Sequence, residues 1–244
     1  MITKLIKEGF IRSPHRVVVV VASIAFGFMS SSASAFWLLG FSDALTLPPG
    51  ALGAIAGTGA QFTQAGAPPK DSSTVFIPHA GFRYGIANDI DLGYRLTQVA
   101  LPFSSVGPTL GSEIDAKYRM TSPDNSWQAA IVGGMAYASL NISDQSKSAW
   151  SPGADLIVSH VFTPQYTLFS ELRYVNTVIP TATGGSGSNY VNAAGMGLGF
   201  KIKLTSLTSI VPEIGVFNLA GKLLNSNANG FAVQAGVVLS IRIW

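Results

Sequence analysis

From residue 50 onward the chain reads in segments of about ten residues whose polarity changes at every other position. Tyr166–Asn176 shows it best. Tyr166, Leu168, Leu172 and Tyr174 fall on one face, and Thr167, Glu171 and Arg173 on the other. Leu110–Thr121 repeats the pattern, with Leu110, Ile114, Ala116, Tyr118 and Met120 against Glu113, Asp115, Lys117 and Arg119. Successive side chains of a strand point to opposite sides, so each segment carries one apolar and one charged face. The pattern predicts strands at 51–64, 74–87, 90–100, 110–121, 126–140, 154–162, 166–177, 193–203, 208–218 and 230–244.

The connections say which face meets the outside. Short ones (88–89, 122–125, 163–165 and 204–207) alternate with longer ones (65–73, 101–109, 141–153, 178–192 and 219–229). That alternation is expected of an outer-membrane barrel with tight periplasmic turns and longer outer loops. The expected fold is therefore all-β: a transmembrane antiparallel up-and-down β-barrel of about ten strands over residues 50–244, with both ends periplasmic. Closure is what makes strands tolerable in lipid, where an open edge would leave backbone groups unpaired. Alternating glycines, Gly57 and Gly59 on the first strand and Gly195, Gly197 and Gly199 on the eighth, give room inside for bulky neighbours and for curvature.

Aromatic residues fit this geometry. Trp127 and Tyr137 share a face ten positions apart, close to the 9–11 residues a tilted strand needs to cross the hydrocarbon layer. Tyr166 and Tyr174 form a similar pair, and all four are expected at the membrane interfaces, where rings with polar tips are favoured.

Asp43-Ala-Leu-Thr-Leu-Pro-Pro-Gly50 before the first strand, and the hairpin Phe82–Arg95, resemble the corresponding parts of small Gram-negative outer-membrane β-barrel proteins. The resemblance implies a bacterial outer-membrane location, with the lipid bilayer and the outer-membrane assembly machinery as partners. Trp244 is similar to the terminal aromatic that serves as an assembly signal. It departs from the pattern by lying one step out of phase with Val237, Leu239, Ile241 and Ile243, which implies a bulge at the strand end or a lumen-facing ring.

The amino end reads differently. Lys4, Lys7, Arg12 and Arg16 precede an apolar run, Val17–Met29, that is broken only by Ser23. Ala33-x-Ala35 follows as a small-residue cleavage site. Residues 1–35 are thus expected to be a cleaved signal peptide. The chain has 15 basic and 12 acidic residues; the leader takes four and one (Glu8), leaving 11 of each. The basic balance belongs to the leader, so it gives no reason to expect a nucleic-acid partner. Residues 36–49 are expected to be a periplasmic segment. Phe36-Trp-Leu-Leu-Gly-Phe41 is too apolar to stay exposed and is expected to dock on the barrel mouth, the inner leaflet or an envelope protein partner.

Alternation sends Arg83, Arg95, Lys117, Arg119, Arg173, Lys201, Lys203 and Arg242 into the lumen with Asp91, Glu113, Asp115, Asp155, Glu171 and Glu213. Buried charges must pair, and a barrel of this size is little wider than side chains can fill. Two readings follow: a hydrogen-bonded network that holds the barrel shut, or a lining for small anions with a surplus of two positive charges. Only 11% of residues are charged and none is Cys, which excludes a thiol nucleophile and thiolate metal sites.

No catalytic residue, cofactor or metal is expected. Ten-stranded outer-membrane proteases need acidic pairs and a His near the outer rim, and the long connections hold only Asp71 and Asp144. Lipid A deacylase-like barrels need a Ser and a His on one face, whereas Ser159 and His160 are adjacent and point to opposite faces. The expected function is a narrow passive channel or a structural envelope protein. The alternative is an interaction module, an adhesin or assembly subunit, engaging through 36–49 or the long loops.

Overall fold

The computed structural model describes residues 40, 42–66, 70–99, 109–142, 145–179, 189–223, 226–227 and 229–243. The leader, residues 36–39 and Trp244 lie outside them. Ten long antiparallel strands close into a barrel: β1 (Leu52–Ala65), β2 (Asp71–Ala87), β3 (Ile90–Val99), β4 (Thr109–Arg119), β5 (Trp127–Ile142), β6 (Gln145–Thr163), β7 (Tyr166–Ile179), β8 (Asn189–Lys203), β9 (Thr208–Leu223) and β11 (Gly230–Arg242). The two-residue β10 (Ser226–Asn227) is a flap on β9, not a stave. Each long strand pairs with the next, and β1 closes the ring against β11 from Gly53↔Arg242 to Ala65↔Gly230. No long strand is left with an open edge.

The alternation read from the sequence is the alternation of the barrel wall. On β4, Gly111, Glu113, Asp115, Lys117 and Arg119 are buried inside, while Leu110, Ile114 and Tyr118 are exposed outside. Phe76, Phe82, Leu172, Met196 and Ile214 continue this outer apolar surface. The turn end of the barrel carries the connections 88–89, 120–126, 164–165 and 204–207; the loop end carries the others.

Two expectations about this wall need correction. The long connection expected at 141–153 does not exist. β5 runs to Ile142, β6 starts at Gln145, and their register continues from Ile142↔Gln145 through Tyr137↔Trp150. The small and polar residues there resemble a loop, but a ladder needs only backbone groups, and the rings of Tyr137 and Trp150 meet at a tilt of 59° with their centres 4.7 Å apart. Strict alternation of loop length fails with it, because only two residues separate β5 from β6 at the loop end while 120–126 is long for the turn end. What identifies the barrel is the alternation within strands.

Candidate functional site

The site is the interior, and its first component is a charge network built over glycines. Arg83 of β2 bonds Asp91 of β3 and, at 2.5 Å, Asp115 of β4. Gly93 lies directly between Arg83 and Asp115 in the register, and a Cβ there would strike both side chains. Across the barrel, Arg173 of β7 pairs with Glu171 on its own strand and with Glu213 of β9 at 3.1 Å. It also lies 5.2 Å from the centre of the Phe217 ring. Between them runs β8 with Gly195, Gly197 and Gly199, and a Cβ at these positions would strike Phe217, Glu171 and Phe169 respectively. The glycines on β8 thus form a floor over which side chains of β7 and β9 meet.

The remaining predicted charges distribute as follows. Arg95 faces Glu113 at 3.7 Å, and Arg119 holds Asp89 at 2.5 Å at the turn end. Asp155 is buried opposite Arg173, and neither of its carboxylate oxygens accepts a side-chain hydrogen bond among the described residues. Lys203 and Arg242 do not join this network. They are exposed where β8 and β11 end, because the alternation carries them past the enclosed part of the tube.

The second component was not legible as an interior element. The residues before β1, expected to lie outside in the periplasm, double back through the turn end into the barrel. Thr46 Oγ1 donates to the Asn88 carbonyl (3.0 Å) at the rim, and the Leu47 amide donates to Asp91 Oδ2 (3.0 Å). Deeper, the Ala44 amide donates to Ser159 Oγ (2.8 Å). Lys117 Nζ donates to Ser42 Oγ (2.8 Å) and to the Asp43 carbonyl (3.0 Å). Lys201 Nζ holds both Asp43 carboxylate oxygens at 3.1 and 3.2 Å. Deepest of all, the Gly40 carbonyl accepts from Arg95 at 3.4 Å, and Gly40 packs against Arg173 and Glu213. Asp43 and Ala44 are 3% and 0% exposed.

This insertion changes the interior charge. Among the described residues, six basic side chains (Arg83, Arg95, Lys117, Arg119, Arg173 and Lys201) now face seven acidic ones (Asp43, Asp91, Glu113, Asp115, Asp155, Glu171 and Glu213). The expected surplus of two positives is absent, since two cations lie outside and Asp43 has entered. Towards the loop end the interior becomes neutral: Gln234 donates to Gln61 at 2.6 Å, and Ser151 and Thr177 share a bond of 2.8 Å. A cavity of about 10 Å³ lies there among Gln61, Arg173, Phe217 and Gln234, room for no more than one water.

On the outside, Trp127, Tyr137, Tyr166 and Tyr174 are all exposed. Trp127 lies 4.5 Å from the His160 ring, which meets Phe162 edge-on at 4.5 Å, and Tyr166 stacks on Phe200 at 5.9 Å. Ser159 points inward and His160 outward. His79 is buried inside on β2, its ring Nδ1 3.3 Å from the Ile77 carbonyl. Among the described residues no group of three His, Asp or Glu is placed to hold a metal ion.

No protein-family model and no curated protein sequence matches the chain. Solved structures do match it in shape. An outer-membrane channel from Pseudomonas putida F1 superposes with a TM-score of 0.56 at 12% identity, covering 82% of this chain and 98% of that one. The outer-membrane protease OmpT of Escherichia coli gives 0.47 at 10% identity, covering 82% and 100%. Neisserial surface protein A gives 0.40 at 11%, covering 78% and 97%. The fold is that of outer-membrane β-barrels. At such identities the likeness concerns the barrel and not its activity.

Proposed function

We propose that the chain is a narrow passive channel of the bacterial outer membrane, held closed at rest by its own inserted segment and carrying no catalytic machinery. One observation carries this reading: Gly40 and residues 42–47 fill the barrel and bond to side chains of β3, β4, β6 and β8. A barrel of this strand number is slightly wider than its own side chains can fill, and the segment supplies the rest. The outer surface supports embedding in lipid, because large apolar side chains cover it on every face, far beyond what a soluble monomer exposes. Aromatic clusters such as Trp127–His160–Phe162 suit a membrane interface. On this reading residues 1–35 are the export leader, the bilayer and the assembly machinery are the partners, and the turn end is periplasmic.

The test is planar-bilayer conductance of the refolded protein. The native chain is expected to be mostly silent with rare openings, and Asp43→Ala, which takes from Lys201 its partner, is expected to open far more often. A second reading, an interaction module, is favoured by β5 and β6. At 16 and 19 residues they exceed the 9–11 needed to cross the membrane and project a paired hairpin at the loop end. Silence of both native and Asp43→Ala protein, each shown to be folded, would decide for that reading.

A further inference from the structure

The inserted segment is bound through groups that many peptides carry. Every hydrogen bond of Lys201 among the described residues goes to the Asp43 carboxylate. The Ser159 hydroxyl accepts from the Ala44 backbone amide, and Lys117 donates to the Asp43 backbone carbonyl. Asp91 accepts the Leu47 amide through one oxygen while its other oxygen holds Arg83. The wall therefore presents two ammonium donors and two acceptors to the backbone and the acidic side chain of this segment. Ala44 is wholly enclosed, so the position after the acid admits only a small side chain.

When the segment withdraws, half-buried Lys201 loses its only carboxylate partner among the described residues, and buried Ser159 loses the amide it accepts. A ligand that restores the same bonds is favoured over water alone. We propose that the interior at Lys117, Ser159 and Lys201 is a binding site for short acidic peptides with a small residue after the acid, occupied at rest by Ser42-Asp43-Ala44 of the same chain. This rests on the channel reading, since a ligand can enter only if the segment can leave. It gives the channel a substrate class, and it makes the resident segment a competitor that a peptide displaces.

The chain contains no Cys, so Ala44→Cys creates a unique thiol that is buried while the segment is seated. Its rate of reaction with a membrane-impermeant maleimide, in full-length protein reconstituted in vesicles, reads departure of the segment. Millimolar acetyl-Ser-Asp-Ala-amide is expected to raise that rate about fivefold, and acetyl-Ser-Asn-Ala-amide less than about twofold, because only the first replaces a charge-assisted bond. Lys201→Gln is expected to abolish the difference between the two peptides. Leu45→Cys, a half-buried neighbour, serves as a second reporter should the first variant fail to fold.

The outcomes separate the two claims. If the peptides act alike, or neither acts, while Asp43→Asn in the reporter background still speeds labelling, the segment moves but the site does not recognise acidic peptides: the proposal falls and the channel reading stands. If the labelling rate of neither reporter changes in any background, the segment does not leave, and both fall.

Discussion

Arg83 reaches Asp115 at 2.5 Å by crossing the strand between them at Gly93. The pair is possible because that one residue has no side chain. Gly93→Val is expected to push the guanidinium and carboxylate apart and leave two buried charges poorly paired, at a cost of about 3 kcal/mol. Gly133→Val is the control: its Cβ meets nothing within 4 Å, so the denaturant midpoint should barely move. Unfolding of the two variants in detergent, followed in parallel, measures the difference.

Around Arg173 three acids compete for one cation. Glu171 forms an ion pair with it and Glu213 accepts its hydrogen bond at 3.1 Å; Asp155, opposite it in the register, has no side-chain hydrogen bond among the described residues. Asp155→Asn removes a buried charge that no side-chain hydrogen bond offsets, and is expected to stabilise the barrel by about 1 kcal/mol. Glu213→Gln weakens a charge-assisted bond and is expected to destabilise it by about 1.5–3 kcal/mol. Equal effects of the same sign in urea titrations would refute this division of roles.

Leu172 stands 57% exposed in the middle of β7. On a water-soluble protein Leu172→Arg would be nearly neutral. On a barrel embedded in lipid it is expected to cost about 2–4 kcal/mol, because an arginine at mid-membrane depth must leave water. Folding equilibria measured in lipid vesicles, compared with those of an Arg substitution at exposed Leu204 in a turn, decide between the two.

The wall of the barrel was legible because its signal is local. Each strand needs only its own alternation, so the buried charges of β4 and the exposed aromatics of β5 and β7 could be assigned one strand at a time. Loop lengths misled where backbone pairing outlasts the apolar pattern. Ser146–Ser151 carries little alternation, yet its amides and carbonyls continue the ladder with β5. The inserted segment was illegible for the opposite reason. Asp43 lies 158 residues from Lys201, and Ala44 lies 115 from Ser159. Nothing in Ser-Asp-Ala announces such distant partners. A cue existed in Lys117 and Lys201, two interior cations whose strand neighbours do not fully account for their charge.

Ser159 gives the most selective handle on that segment. Its hydroxyl is wholly buried and accepts the Ala44 amide at 2.8 Å. Ser159→Ala takes away the acceptor without touching any charged pair, and leaves a buried backbone N–H unsatisfied only while the segment is seated. The cost, about 1–3 kcal/mol, therefore falls on the inserted state and not on the barrel wall. At 1.4 kcal/mol per factor of ten, the population with the segment withdrawn should rise by roughly one to two orders of magnitude. Open probability in planar bilayers should rise accordingly, while the denaturant midpoint of the barrel changes little. A variant that unfolds more easily yet stays as silent as the native protein would show that the segment is part of the permanent core.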